Sequence, residues 1–228
     1  MRRWSWIWLG LLLSTTPLAA QVGHSPRTSP YRDIRRGHTF TLTGGYVFGN
    51  GGNLNIGPQN GSVVGIRYDI RSSRSIGLGL SLGRGNLERF IINPFLPPAT
   101  RRSGPVNQTL SYIETNLQMN VTGGKSWNRI APYLAFNGGL LVGQDTPADT
   151  SGYDFGNKLY FAPGLGVRLF VGQRLHLRVE GRAAFWKLNF PVAFLGTPEN
   201  PAVVLESGRT EWVTTPWLQF GLGYSLSH

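Results

Sequence analysis

The sequence predicts an all-β chain, an eight-stranded antiparallel up-and-down transmembrane β-barrel, and three observations predict it. Segments of about ten residues alternate large apolar side chains with small or polar ones, the period of two that marks a strand with two unlike faces. The joins between these segments alternate between short and long. The face in phase with the large apolar residues carries no charge, whereas the other face is polar, charged and rich in glycine.

The first twenty residues stand apart from this pattern. Arg2 and Arg3 precede an apolar run from Trp4 to Leu13, and Pro17, Leu18, Ala19 and Ala20 offer small residues for cleavage. The run is shorter than the roughly twenty residues that a helical span needs, and it has the layout of a secretory signal. The organisation expected is therefore a signal peptide at 1–20, a short periplasmic N-terminal segment at 21–37 and the barrel at 38–228. Mass spectrometry of the exported protein should give a chain beginning at Gln21; an intact Met1 would overturn the compartment assignment.

The strands follow in order. In 39–48, Phe40, Leu42, Tyr46 and Phe48 alternate with threonine and glycine; in 64–70, Val64, Ile66, Tyr68 and Ile70 alternate with Gly65, Arg67 and Asp69. In 76–83, Ile76, Leu78, Leu80 and Leu82 alternate with Gly77, Gly79, Ser81 and Gly83. The theme continues in 113–121 (Leu117 and Met119 against Glu114, Asn116 and Gln118), 134–142 (Phe136 and Leu140) and 161–169 (Leu165 and Val167 against Gly164, Gly166 and Arg168). It closes with 175–185 (Leu177 and Val179 against His176, Arg178, Glu180 and Arg182) and 218–226 (Phe220, Leu222 and Tyr224 against Gln219, Gly221 and Gly223). Pro132 and Pro216 are expected near strand ends, while Pro163 lies inside the sixth segment and is expected to force a bulge or a shorter strand.

Short turns join the second to the third, fourth to fifth and sixth to seventh strands, at 72–73, 122–129 and 172–173. Long joins occupy 49–61, 85–108, 143–157 and 187–210. Spanning barrels have this asymmetry, with short turns at one end and long loops at the other. An Arg or Lys facing lipid at the midplane costs about 2–4 kcal/mol, which accounts for the uncharged face. Leu80→Arg should accordingly impair assembly, with Gly85→Arg at the rim mild. A soluble calycin-like barrel would be apolar inside and polar outside, the reverse of this pattern. A sandwich with one wet face would not gather its long loops at one end. Aromatic residues collect near both rims as interfacial girdles do: Tyr46, Phe48, Tyr160, Phe161, Phe185, Trp186, Trp212 and Trp217 toward the long loops, and Tyr68, Trp127, Tyr133 and Tyr224 toward the short turns.

The inward charges are Arg67, Asp69, Glu114, Arg168, Arg178, Glu180 and Arg182, four cations for three anions. An unpaired charge in a low-dielectric bore costs several kcal/mol, so these groups are expected to pair as a structural network that closes the lumen. The long residues of the seventh strand should cross toward the small ones of the third. Removing Glu180 or Glu114 would then lower stability and raise conductance together.

With these residues in view, the chain from about 37 to 228 resembles the small eight-stranded outer-membrane β-barrels, the class of the outer membrane protein A transmembrane domain and its OmpX/Ail and OmpW relatives. The most specific part is Gln219-Phe220-Gly221-Leu222-Gly223-Tyr224-Ser225-Leu226, which is similar to the signal read by the barrel assembly machinery. In that pattern Gln219 is the polar position, Gly221 the glycine, Tyr224 the aromatic and Leu226 the hydrophobic residue. The family usually ends on an aromatic, and this chain carries Ser227 and His228 beyond the motif. The resemblance implies a bacterial outer-membrane location, with membrane lipids and the assembly machinery as partners, and a monomer.

The formal charge of +11 falls to +9 when Arg2 and Arg3 are removed. The surplus gathers at the short-turn rim, at Arg27, Arg32, Arg35, Arg36, Arg71, Arg74, Lys125, Arg129 and Arg174, where anionic headgroups would lie. The long-loop end is balanced, so nucleic acid is not an expected partner. No cysteine is present, which removes thiol chemistry and cysteine metal cages. His24, His38 and His228 fall in tails or at the margin, and His176 faces the lumen without a serine at a suggestive spacing. Asp145, Asp149 and Asp154 lack calcium-loop spacing and read as solvated loop. No cofactor or metal site and no catalytic residue is expected. The function expected is a non-enzymatic, structural or adhesin-like membrane anchor that displays four long external loops over a plugged lumen. A narrow channel for small solutes is the alternative, and a lipid-modifying enzyme stands behind both. The loops carry no chemistry that names their partner.

Overall fold

Alternation gives every strand one apolar and one polar face, and a sheet curled around a bore satisfies both when the polar face lines the lumen. The computed structural model describes residues 29–34, 37–195 and 208–226. The expected signal peptide with its expected cleavage site, and His24, Arg27, Arg35, Arg36, Glu199, Glu206, Ser227 and His228, lie outside the described residues. Ten strands occur among those described: β1 (Tyr31–Asp33), β2 (His38–Val47), β3 (Gly61–Arg71), β4 (Ile76–Ile92), β5 (Arg102–Asn120), β6 (Lys125–Trp127), β7 (Ile130–Gly143), β8 (Asn157–Phe170), β9 (Leu175–Asn189) and β10 (Thr210–Leu226). Eight of them close a ring in the order β2-β3-β4-β5-β7-β8-β9-β10, every pair antiparallel. The seam is β10 on β2, from Trp217 opposite Val47 to Leu226 opposite His38.

The outward register agrees with the sequence at every strand. Leu42, Val64 and Leu165 are exposed to 66, 63 and 65 %. Their neighbours Phe40, Ile66, Leu78, Leu117, Phe136, Phe220 and Leu222 are exposed as well, so the outer wall is one apolar band. A surface this large and apolar is expected only where something other than water covers it.

Several strands are longer than the sequence pattern shows. The join at 85–108 is mostly hairpin: β4 continues to Ile92 and β5 begins at Arg102, leaving a loop at 93–101. Above Leu82 the polarity of the two faces inverts, with Leu87, Arg89 and Ile91 buried inside and Arg84, Asn86 and Glu88 outside. A search for apolar residues in the outward phase stops at that inversion. Gly85 is therefore buried rather than at an open rim. A Cβ there would lie 2.8 Å from Leu87 and 2.9 Å from Val63, so Gly85→Arg is disruptive and cannot serve as the mild control.

Pro132 lies near the start of β7 as expected, whereas the other two prolines differ from expectation. Pro216 lies well inside β10, opposite Ala183. Pro163 neither bulges nor shortens β8, because its pairing with Phe136 of β7 is kept and the β8–β9 register is the same above and below, at Phe161↔Phe185 and Gly164↔Arg182. The missing N–H interrupts the ladder toward β9 alone.

The N-terminal segment also contributes a strand. β1 pairs with β6, with Tyr31 opposite Trp127 and Asp33 opposite Lys125, and β6 joins β7 through Trp127 and Ile130. A three-residue strand is too short for alternation to reveal.

Candidate functional site in the barrel lumen

Inward side chains form three levels along the bore. The middle level holds the seven charges named from the sequence. Arg182 of β9 lies 2.8 Å from Glu114 of β5, three places away around the ring. Glu114 also accepts from the Tyr160 hydroxyl of β8. Arg178 of β9 pairs with Glu180 on its own strand and stands 3.6 Å from Asp69 of β3 on the other side. Asp69 is 2.8 Å from Arg67 and accepts 2.9 Å from the Gln118 amide of β5. Glu180 accepts 3.0 Å from the Tyr133 hydroxyl and 3.1 Å from the Asn137 amide, both on β7. Gln219 of β10 donates 3.4 Å to the Tyr112 hydroxyl of β5, four places round the ring and so across its full width. The bonds are chords, and together they fill the section of the bore.

Arg168 stands apart from the other six. No carboxylate pairs with it among the described residues; its guanidinium donates to the Asn120 amide oxygen and lies 5.4 Å from the centre of the Tyr133 ring. Arg178 lies over the same ring at 4.9 Å, and Arg182 lies over Trp217 at 4.2 Å.

The lumen glycines do not receive arginines from across the axis, as the sequence led us to expect. They make room for rings on the adjacent strand. Gly83 stands opposite Tyr112, Gly166 opposite Tyr133 and Gly223 opposite His176. A Cβ at these glycines would come within 2.4, 2.3 and 2.3 Å of the facing ring. A glycine beneath an aromatic ring is a known device for closing a strongly curved sheet. Ser81 donates 2.7 Å to Asn116, and a Cβ on Gly79 would fall 2.3 Å from Asp69.

The level toward the long loops is apolar. Val47, Val63, Leu87, Leu110, Tyr112, Leu141, Tyr160, Trp186, Leu188, Val213 and Trp217 point inward and pack with Ile56, Tyr153, Phe155, Phe190 and Phe194, which come from three of the loops. Tyr160, Trp186 and Trp217, placed in the outer girdle by the sequence, belong to this core, as Tyr133 belongs to the charged level. Tyr46, Phe48, Phe161, Trp212, Trp127 and Tyr224 do face outward. A chain position near a strand end does not by itself distinguish ring-in from ring-out; the phase does.

A buried ion pair holds the third loop down. Arg89 of β4 lies 2.7 Å from Asp149, and both side chains are 2 % exposed. Arg89 also donates 2.8 Å to Gln108, whose amide donates 2.5 Å to the Gln144 carbonyl, and Ser151 caps Asp149. Asp149 is thus a structural clamp and not the solvated loop residue that its sequence context suggests. Burial pushes the neighbouring Tyr153 hydroxyl above its ordinary range. No group of three or more His, Asp or Glu among the described residues is arranged to hold a metal ion.

At the short-turn end, β1 hangs from the β5–β7 connection, although the strand it precedes, β2, lies four places round the ring. The Ile34 amide donates 2.8 Å to Gly124, and the Ile34 carbonyl accepts 3.5 Å from Arg71. Ile34 consequently borders two openings at this mouth. One of about 330 Å³ lies toward Arg129 and Gln173, and one of about 560 Å³ toward Arg71, Arg74 and Lys125.

The four motif residues at the chain end all lie on the seam strand. Gln219 and Gly221 face the lumen, and Tyr224 and Leu226 face outward, exposed to 44 and 47 %.

No protein-family model and no curated protein sequence matches the chain. Solved structures do match its fold. The outer membrane protein OprG from Pseudomonas aeruginosa is 13 % identical with a TM-score of 0.52, over 85 % of this chain and 98 % of that one. Neisserial surface protein A (NspA) is 12 % identical with a TM-score of 0.50, over 87 % of this chain and 98 % of that one. The fold shared with both is the small outer-membrane barrel.

Proposed function

We propose that the protein is a non-enzymatic, monomeric anchor in a bacterial outer membrane, with its lumen shut and its four long joins directed outward for recognition. The observation that carries this reading is the double closure of the bore. Charged chords fill its middle, and an apolar core capped by loop residues fills the half above. The uncharged outer wall supports the membrane location, since lipid is the solvent such a surface requires. The Gln219, Gly221, Tyr224 and Leu226 pattern on the seam strand supports delivery by the barrel assembly machinery. Against an enzyme, His176 is 2 % exposed and its Nδ1 has no hydrogen-bond partner, so it is not poised by a carboxylate as a general base is.

Reconstitution into planar bilayers tests the proposal. The unmodified protein should insert without stable ohmic steps. Regular conductance steps would overturn the closed anchor and favour the narrow channel.

A further inference from the structure

We propose that the base of the lumen is a binding site for one small monovalent anion of halide size. Three observations converge on it. First, among the described residues Arg168 is the lumen cation without a carboxylate. Arg182 has Glu114, Arg178 has Glu180 and Asp69, and Arg67 has Asp69, which exhausts the three acids. A guanidinium enclosed by protein without a counter-charge is costly. Second, the Nε of Arg168 and the Nδ1 of His176 are both enclosed without a hydrogen-bond partner.

Third, these groups line one small space. A cavity of about 20 Å³ lies at the foot of the bore, bordered by Arg168, His176, Gln118, Asn120, Arg71 and Asp69. A space of that size takes a single particle of about the size of water. Two guanidinium groups, the imidazole and two side-chain amides give it donors from four strands, β3, β5, β8 and β9. Asp69 is the one acid at its edge, and its oxygens already accept from Arg67 and Gln118. A halide there supplies the missing negative charge among these donors. Sulfate and phosphate are too large for the space. Ile34 borders the same cavity, so the ion enters past the β1 segment.

Diffraction from crystals of the unmodified protein grown in sodium bromide, recorded at the bromine edge, tests the site directly. An anomalous peak within hydrogen-bond reach of Arg168 is the expected result, and its absence overturns the proposal. In parallel, the temperature at which the folded band is lost from gels should be higher in chloride or bromide than in gluconate of equal ionic strength. That difference should vanish in Arg168→Gln. Equal midpoints in all three salts for the unmodified protein would overturn the proposal as well, whether or not the variant folds.

Discussion

Glu180→Ala should destabilise the barrel by about 3–5 kcal/mol, the range for removing one partner of a buried ion pair. It leaves the Arg178 guanidinium with only the more distant Asp69 at 3.6 Å and removes the acceptor of the Tyr133 hydroxyl and of one Asn137 N–H, in a position 1 % exposed. The gel shift between unboiled and boiled samples, followed with temperature, measures the loss. Glu114→Ala should act similarly through Arg182 and Tyr160. From the sequence alone the same substitutions ought to open the bore. The structure changes that expectation, because the apolar core lies between the network and the long-loop mouth and neither change removes any of its apolar side chains, Tyr160 losing only the partner of its hydroxyl. Conductance should therefore stay low while stability falls. Steps that appear in Glu180→Ala would show that the charged level alone is the seal.

Leu80→Arg should cost about 2–4 kcal/mol in lipid, the penalty for a cation at the midplane of a barrel wall. Leu80 is 44 % exposed and lies in the middle of the outward run Ile76, Leu78, Leu80 and Leu82, with Tyr68 on one side and Thr115 on the other. Asn86→Arg is the proper comparison. It keeps the same outward phase on the same strand, above Arg84, and should refold nearly as well as the parent. Equal refolding yields for the two variants, scored by the gel shift in lipid vesicles, would show that β4 does not present Leu80 to the bilayer.

These two substitutions mark what was legible in the sequence. The outward face is repetitive, since lipid asks the same thing of Leu42, Leu80, Leu117 and Leu222, and a repetitive demand leaves a periodic trace. The seven lumen charges were legible for the complementary reason, as the exceptions on the other phase. Which charge pairs with which was not. Arg182 finds Glu114 three strands away, and no local spacing encodes a chord. The glycines misled because the room they leave is used by the adjacent strand, a relation set by register: Gly83 matters to Tyr112, far along the chain. The apolar upper core was missed because Trp186 and Trp217 look the same in composition whether they face lipid or lumen. The Arg89–Asp149 clamp joins a strand to a loop, where no periodicity operates. The β1–β6 pairing rests on too few residues to leave any pattern.

The β4–β5 hairpin carries its tip well beyond Leu82 of the outer wall. From Arg84 to Ile92 it runs on past the last apolar outward residue, roughly 26 Å along the strand at about 3.3 Å per residue. Even with a barrel tilt of about 40°, the strand end stands roughly 20 Å above Arg84. Among the described residues, Ile56, Tyr153, Phe155, Phe190 and Phe194 of the other long joins turn onto the lumen, whereas Phe95 and Leu96 at this tip, like Val192, remain exposed, to 72, 42 and 63 %. Sequence drift in the inward-folded loops is restrained by packing, whereas the tip can vary without disturbing the wall.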